Sequence, residues 1–304
     1  MAVARPMALI TGASSGLGAE FARQLAAQGF DLTLVARRKD RLEALSNQLR
    51  SQYGVQAQPL VADLTQDAGM KVVADYILGA ESLQLLVNNA GFGTSGRFYE
   101  ADLAGQDAMH RLHVLATLRL THAALRKMTA RQPASLTGTP GEQGSAQRRT
   151  AAGPVPPAPD SPSGVRSEMG YGAGAVINVS SLAAFAPRPG STCYYATKAW
   201  MNCFTEGLSL ELKSQGSPVR VQALCPGFTY TEFHDVMRVD RRAVPGWMWM
   251  SAREVVAASI RGLARGELIV VPGWQYRFFY FLLRLLPRSV LKFFAVRNPM
   301  RWER

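Results

Sequence analysis

Short apolar runs recur along the chain at Met7–Ile10, Asp31–Val35, Ala57–Val61, Gln84–Val87, Ala175–Val179, Val219–Leu224 and Leu268–Val271. Most are separated by stretches in which apolar residues return at helical spacing, as in Glu43–Arg50 and Trp200–Leu212, with a longer helix expected over about Leu103–Ala130. Short strands that are apolar throughout, alternating with helices, predict a parallel sheet covered on both faces. The expected architecture is therefore α/β: one doubly wound domain over residues 1–272, with seven mostly parallel strands and helices on both sides, followed by a segment of different character at 273–304.

One stretch breaks the alternation. Arg131–Gly174 holds seven prolines and eight glycines among Ser, Thr, Gln and Ala, and it has no hydrophobic period. Such a composition cannot bury enough apolar surface to offset ordering, so a disordered insertion is expected. It lies between the long helix and the strand at Ala175 and so reaches the sheet at the amino edge, whereas ligands in open α/β sheets bind at the carboxyl edge. Remoteness from chemistry is expected, with a partner-binding role as the other reading.

At 304 residues and 47% hydrophobic content, the chain can bury a full core. The three cysteines, Cys193, Cys203 and Cys225, and the four histidines have neither disulfide nor metal-ligand spacing. No metal site is expected, and a reducing cytoplasmic location fits. A strand-like run begins almost at once after Met1, so no signal peptide is expected. The net charge of +12 invites a nucleic-acid reading, but half of it comes from Arg277, Arg284, Arg288, Lys292, Arg297, Arg301 and Arg304 against Glu303. No nucleic-acid partner is expected. In the tail, Arg277, Arg284, Arg288 and Lys292 form one helical stripe among Phe and Leu. Pro287 interrupts the run, which argues against a spanning helix. Two readings stay open: peripheral membrane contact through 273–304, or a hydrophobic lid and oligomer contact over the substrate cleft. Both imply an apolar substrate.

Directly after the first strand, Thr11-Gly12-Ala13-Ser14-Ser15-Gly16-Leu17-Gly18 opens a helix. Glycines there allow a tight turn and let a pyrophosphate approach helix N-terminal amides. The second strand ends Ala36-Arg37-Arg38, where an NAD-selective protein usually places an acid on the ribose 2′-hydroxyl. Guanidinium groups at Arg37 and Arg38 suit a 2′-phosphate instead, which points to NADP(H); a solvated run of charge at a helix start is the plainer reading. Further on, Tyr194 and Lys198 stand four apart, on one face of a helix. A free phenol has a pKa of about 10, and a nearby ammonium is expected to lower it.

These motifs together resemble the short-chain dehydrogenase/reductase superfamily, over about Met7–Val271 apart from the insertion. The resemblance implies a Rossmann-type domain and an adenine contact from Asp63 in Ala62-Asp63-Leu64. It also implies that Asn89, Ala90 and Gly91 in Asn88-Asn89-Ala90-Gly91 line the adenine ribose and brace the sheet. Ser181, thirteen residues before Tyr194, would orient a substrate carbonyl, with Ser180 and Tyr195 in supporting positions. Lys198 would hold the nicotinamide ribose beside Tyr194, the general acid. Pro226-Gly227-Phe228-Thr229-Tyr230-Thr231 matches the family's Pro-Gly…Thr element, which puts Pro226 and Gly227 at the cofactor and makes the Thr229 backbone and Thr231 hydroxyl candidates for the carboxamide and pyrophosphate contacts.

One position departs from the family. Many relatives carry an asparagine of a water-mediated proton relay where this chain has His113. A histidine there either replaces the relay or marks an impaired enzyme. The expected activity is an NADPH-dependent reductase, or reverse dehydrogenase, acting on a small apolar carbonyl or alcohol as a homodimer or homotetramer. The competing reading is a non-catalytic NADP(H)-binding sensor or scaffold.

Overall fold

A computed structural model describes residues 5–94, 96–131, 173–233, 244–287, 289–290 and 293. Its main sheet contains β1 (Met7–Thr11), β2 (Asp31–Ala36), β3 (Ala57–Val61), β4 (Leu83–Asn88), β5 (Ala175–Val179), β6 (Arg220–Leu224) and β9 (Ile269–Val270). The order is β3-β2-β1-β4-β5-β6-β9, with every pairing parallel. The seven expected strands are all present, each within a residue or two of its apolar run. A small parallel pair, β7 (Thr229–Tyr230) with β8 (Met250–Ser251), lies beside the sheet.

The reason both faces are covered is visible in β1, whose five residues are all buried. Ala8 and Ile10 face one core cluster, with Phe21 and Leu25 of α1 (Gly16–Ala27), Leu42 of α2 (Lys39–Tyr53) and Val256 of α7 (Ala252–Ala264). Met7 and Leu9 face the other, with Val73 of α3 (Asp67–Gly79) and Leu120 of α5 (Thr117–Thr129). Successive strand residues point to opposite faces. Each such leucine or isoleucine contributes about 1.5–3 kcal/mol on burial. The winding reverses between β1 and β4, which opens a crevice at their carboxyl ends.

The long helix departs from the expected form. It runs as α4 (Leu103–His110), a π-helical stretch at Arg111–Ala116, and α5. A π turn adds a residue to the repeat and rotates the remainder of the helix about its axis. Here it surrounds His113, which is wholly buried. Helix α6 (Thr192–Ser214) carries Tyr194 and Lys198.

Most of the expected insertion, 132–172, lies outside the described residues. At its two ends, Arg131 donates to Ala80 O and Leu83 O, and Gly174 O accepts from Arg220 N, all at the amino edge of the sheet. Beyond β9, α8 (Trp274–Leu285) packs onto the body through Tyr276, Phe279 and Tyr280. Of the expected basic stripe, Arg277 donates to Val271 O and Arg284 to Tyr280 Oη; Arg288 and Lys292 lie outside the described residues. No described helix is long and apolar enough to cross a membrane.

Candidate active site

The crevice at the switch point is a cleft of about 620 Å³. Its floor is built by close backbone approach. Gly12 has φ +66°, and a Cβ there would lie 2.8 Å from Ala90 Cα; one on Gly18 would lie 2.3 Å from Gly12 O. Asn89 Nδ2 donates to Thr11 O and Gly12 O, and Thr11 Oγ1 accepts from the amides of Asn89 and Ala90. Below them Asn88 donates to Thr121 Oγ1 and Asn178 Oδ1, which ties β4 to β5 and to α5. Ser15 begins α1 without a side-chain cap, so the first-turn amides and the positive end of the helix dipole face the cleft with Gly16 and Leu17.

The outer wall is cationic. Arg37 lies exposed on the rim, and Arg38 donates to Ser14 Oγ, Ser15 Oγ and Glu232 Oε2. Asp63 and Leu64 line the same wall, but the Asp63 carboxylate also accepts from the Thr65 amide and hydroxyl, which shapes the turn before α3. Sequence reasoning missed Glu232, which also accepts from Arg41. Its only signal is proximity to Thr231.

The other end of the cleft gathers Ser181, Tyr194 and Lys198. Ser181 Oγ accepts from Ala183 N as the cap of a short 3-10 turn, and the same hydroxyl bonds the Tyr194 phenol. Lys198 Nζ donates to Val179 O at 2.8 Å and stands 5.8 Å from the centre of the Tyr194 ring. Of the two neighbours in supporting positions, Ser180 donates to Lys198 O.

The expected lowering of the tyrosine pKa is not what the geometry gives. Burial pushes the Tyr194 phenol up to about 12, against a smaller opposing pull from Ser181. Burial also lowers Lys198 to about 7. Both groups are taken out of water, and desolvation disfavours the charged form of each. The phenol is therefore fully protonated at neutral pH.

His113 sits edge-on to Tyr194, with ring centres 5.9 Å apart. Its Nδ1 lies 2.9 Å from Thr197 Oγ1, whose own proton goes to Tyr194 O. The hydroxyl must accept from the ring, so Nδ1 carries the hydrogen and Nε2 is a bare acceptor. Nε2 is buried without a partner among the described residues. A Cβ on Gly91 would lie 2.7 Å from His113 Nε2 and 3.7 Å from Lys198 Nζ, so the glycine leaves both atoms room beside the cleft. Burial, then Lys198 and His110, hold His113 well below the usual histidine range. It is neutral at physiological pH.

After β6, Pro226, Gly227, Thr229 and Thr231 line the cleft between its two ends. Gly227 has a second role. A Cβ there would lie 2.1 Å from Tyr276 Cζ, so the glycine lets the Tyr276 ring of α8 lie across the turn. Tyr276 Oη accepts from Phe228 N and donates to Met248 O. Phe185, four residues past Ser181, packs edge-on against Tyr280 at 4.7 Å. The catalytic end is walled by Phe92 and by Phe233, the latter 5.8 Å from Tyr194.

Uncapped amides, a glycine floor that any Cβ would fill, and a cationic rim fit a dinucleotide phosphate chain. The buried acceptor at His113 and the phenol at Tyr194 fit the opposite, reacting end.

Comparison with known proteins agrees with this geometry. The sequence profile of the short chain dehydrogenase family matches residues 6–145 and 164–242. The chain is 26% identical over 238 residues to a very-long-chain 3-oxoacyl-CoA reductase of Anas platyrhynchos, a match covering 76% of this chain and 62% of that relative's length. Among solved structures it is similar to a short-chain dehydrogenase from Sphingobium yanoikuyae in complex with NADPH, at 31% identity and TM-score 0.72, covering 94% of this chain and 95% of that one. It is also similar to the bulky-bulky ketone specific alcohol dehydrogenase from Comamonas testosteroni, at 29% identity and TM-score 0.69, covering 94% of each chain.

Proposed function

Because the chain belongs to the short chain dehydrogenase family, an oxidoreductase family whose fold binds a nicotinamide cofactor, we propose that it is an NADPH-dependent reductase of apolar carbonyl compounds. The observation that carries this reading is the convergence of Tyr194, Ser181 and Lys198 at one end of a cleft whose other end bears Arg37 and Arg38.

The amides of Gly16–Gly18 would hold the pyrophosphate, Arg37 and Arg38 a 2′-phosphate, and Lys198 the nicotinamide ribose. When bound, the cofactor supplies the hydride. With substrate in place, Ser181 turns its hydroxyl proton from the phenol to the carbonyl oxygen and orients it. Tyr194 is protonated at neutral pH and gives its proton to the same oxygen as negative charge develops there. Lys198, lowered to about 7, is charged below that pH, and its charged form favours the phenolate left behind. Phe92 and Phe233 exclude water around this end.

Phenyl side chains around the reacting end, with α8 leaning on the segment after Ser181, support a bulky apolar substrate. Two similar proteins bear names that fit such a substrate, a very-long-chain 3-oxoacyl-CoA reductase and a bulky-bulky ketone specific alcohol dehydrogenase. Following NADPH consumption across short and long 3-oxoacyl thioesters, bulky ketones and small aldehydes tests the reading. The long or bulky compounds should give the highest kcat/KM, and a preference for small charged aldehydes would remove the apolar assignment.

Peripheral membrane contact is a proposal supported by the outer face of α8, where Trp274, Phe278, Phe281 and Leu285 are 61–79% exposed. Flotation with anionic vesicles at low salt tests it.

A further inference from the structure

We propose that Glu232 is a tethered anion occupying the seat of the cofactor's 2′-phosphate, and that Arg41 and Glu232 together set the discrimination between NADP(H) and NAD(H). The inference rests on the reading of Arg37 and Arg38 as a phosphate rim. Arg41 Nη1 donates to Glu232 Oε1 at 2.7 Å, and Arg38 Nη1 to Oε2 at 3.2 Å. The same Arg38 guanidinium donates to the hydroxyls of Ser14 and Ser15. Two guanidinium groups and the Ser15 hydroxyl thus meet the Glu232 carboxylate at the rim, and Ser14 and Ser15 together hold the Arg38 guanidinium in place. A phosphate, with three terminal oxygens and up to two charges, matches such a donor set better than one carboxylate does.

The carboxylate reaches this seat from the opposite wall, on the segment following β7, and so closes the cleft mouth over the glycine turn. Its arginine partners hold it below the usual carboxylate range, so it is an anion at any physiological pH. The side chains in these pairs are 42–50% exposed, which makes each pair weak and readily exchanged. A 2′-phosphate entering beside a seated Glu232 would meet like charge, so the carboxylate must leave. A ribose 2′-hydroxyl could instead donate to it, as ribose hydroxyls do to acids in NAD-binding proteins. Glu232 therefore opposes NADP(H) and tolerates NAD(H), while Arg41 favours NADP(H) and leaves NAD(H) unaffected.

The test measures dissociation constants of NADPH and NADH by cofactor fluorescence, with adenosine 2′,5′-bisphosphate as a competitor, on the full chain and two variants. Glu232→Gln should tighten NADPH and the bisphosphate about two- to fivefold, the range expected for exposed ion pairs, and leave NADH unchanged or weaker. Arg41→Gln should weaken NADPH and the bisphosphate by a similar factor and spare NADH. If Glu232→Gln weakens NADPH, or moves both cofactors in parallel, Glu232 is a brace for the cleft mouth and the inference is overturned. If the bisphosphate displaces nothing even from the unsubstituted chain and Arg38→Ala changes neither cofactor, the phosphate rim itself is wrong and the inference falls with it. The two failures are distinguished by the competitor.

Discussion

His113 Nδ1 donates to Thr197 Oγ1 across 2.9 Å, because the only hydroxyl proton of Thr197 is directed to Tyr194 O. One threonine on the catalytic helix thus selects the tautomer of a ring on the neighbouring helix and leaves Nε2 as an acceptor beside Gly91 and Lys198. Nitrogen NMR of the histidine rings should show His113 protonated at Nδ1, bare at Nε2, and neutral through the range in which an ordinary histidine takes up its proton. His113→Leu removes the acceptor and should lower kcat about tenfold while cofactor affinity stays within about twofold. A ring that titrates near its ordinary value would contradict this account.

The paired titrations of Tyr194 and Lys198 give a signed pH dependence. Lys198 is lowered from 10.5 to about 7, so between these values the unfolded chain binds more protons than the folded one, and stability rises with pH. Tyr194 is raised from 10.0 to about 12, so stability falls with pH across that higher window. Denaturant titrations at about pH 7 and pH 9.5 should show the rise, and Lys198→Met should flatten it. In the reductive direction kcat should decline as pH climbs through about 7 and the lysine loses its charge, with no loss from the phenol until far higher pH.

Gly227 lets Tyr276 close the site from the tail. In Gly227→Ala the new methyl meets the buried Tyr276 ring and shifts α8. Overpacking of this kind costs about 1–3 kcal/mol, read as a lower Tm. Disturbing the contact between Tyr280 and Phe185 should also raise KM for bulky substrates more than it weakens cofactor binding. An unchanged Tm and unchanged KM would show that α8 does not depend on this contact.

The legible parts of the fold are those set by local pattern. Strand runs such as Met7–Thr11 are apolar on both faces, and the turn at Gly12–Gly18 needs residues without Cβ atoms, so both are written in residue type. Tyr194 and Lys198 share a helix face through spacing alone. The π stretch was not legible, since Arg111–Ala116 has the same apolar rhythm as an ordinary helix and only packing against α6 selects the wider turn. Nor was Glu232, an isolated acid whose partners Arg38 and Arg41 are brought to it by tertiary folding. The direction of the Tyr194 shift escaped for a related reason: spacing reports the nearby amine, but burial decides the sign.

The central claim is that Tyr194 delivers the proton in NADPH-dependent carbonyl reduction, and Tyr194→Phe tests it most directly. The phenyl ring keeps the packing against His113 and Phe233 while removing the hydroxyl alone. With a long-chain 3-oxoacyl thioester or bulky ketone that the unsubstituted chain reduces, kcat of the variant should fall about 10²- to 10⁴-fold, with NADPH affinity unchanged. Retained turnover in Tyr194→Phe, or no turnover of any carbonyl by the unsubstituted chain that binds NADPH while His113→Asn gains it, would contradict the account.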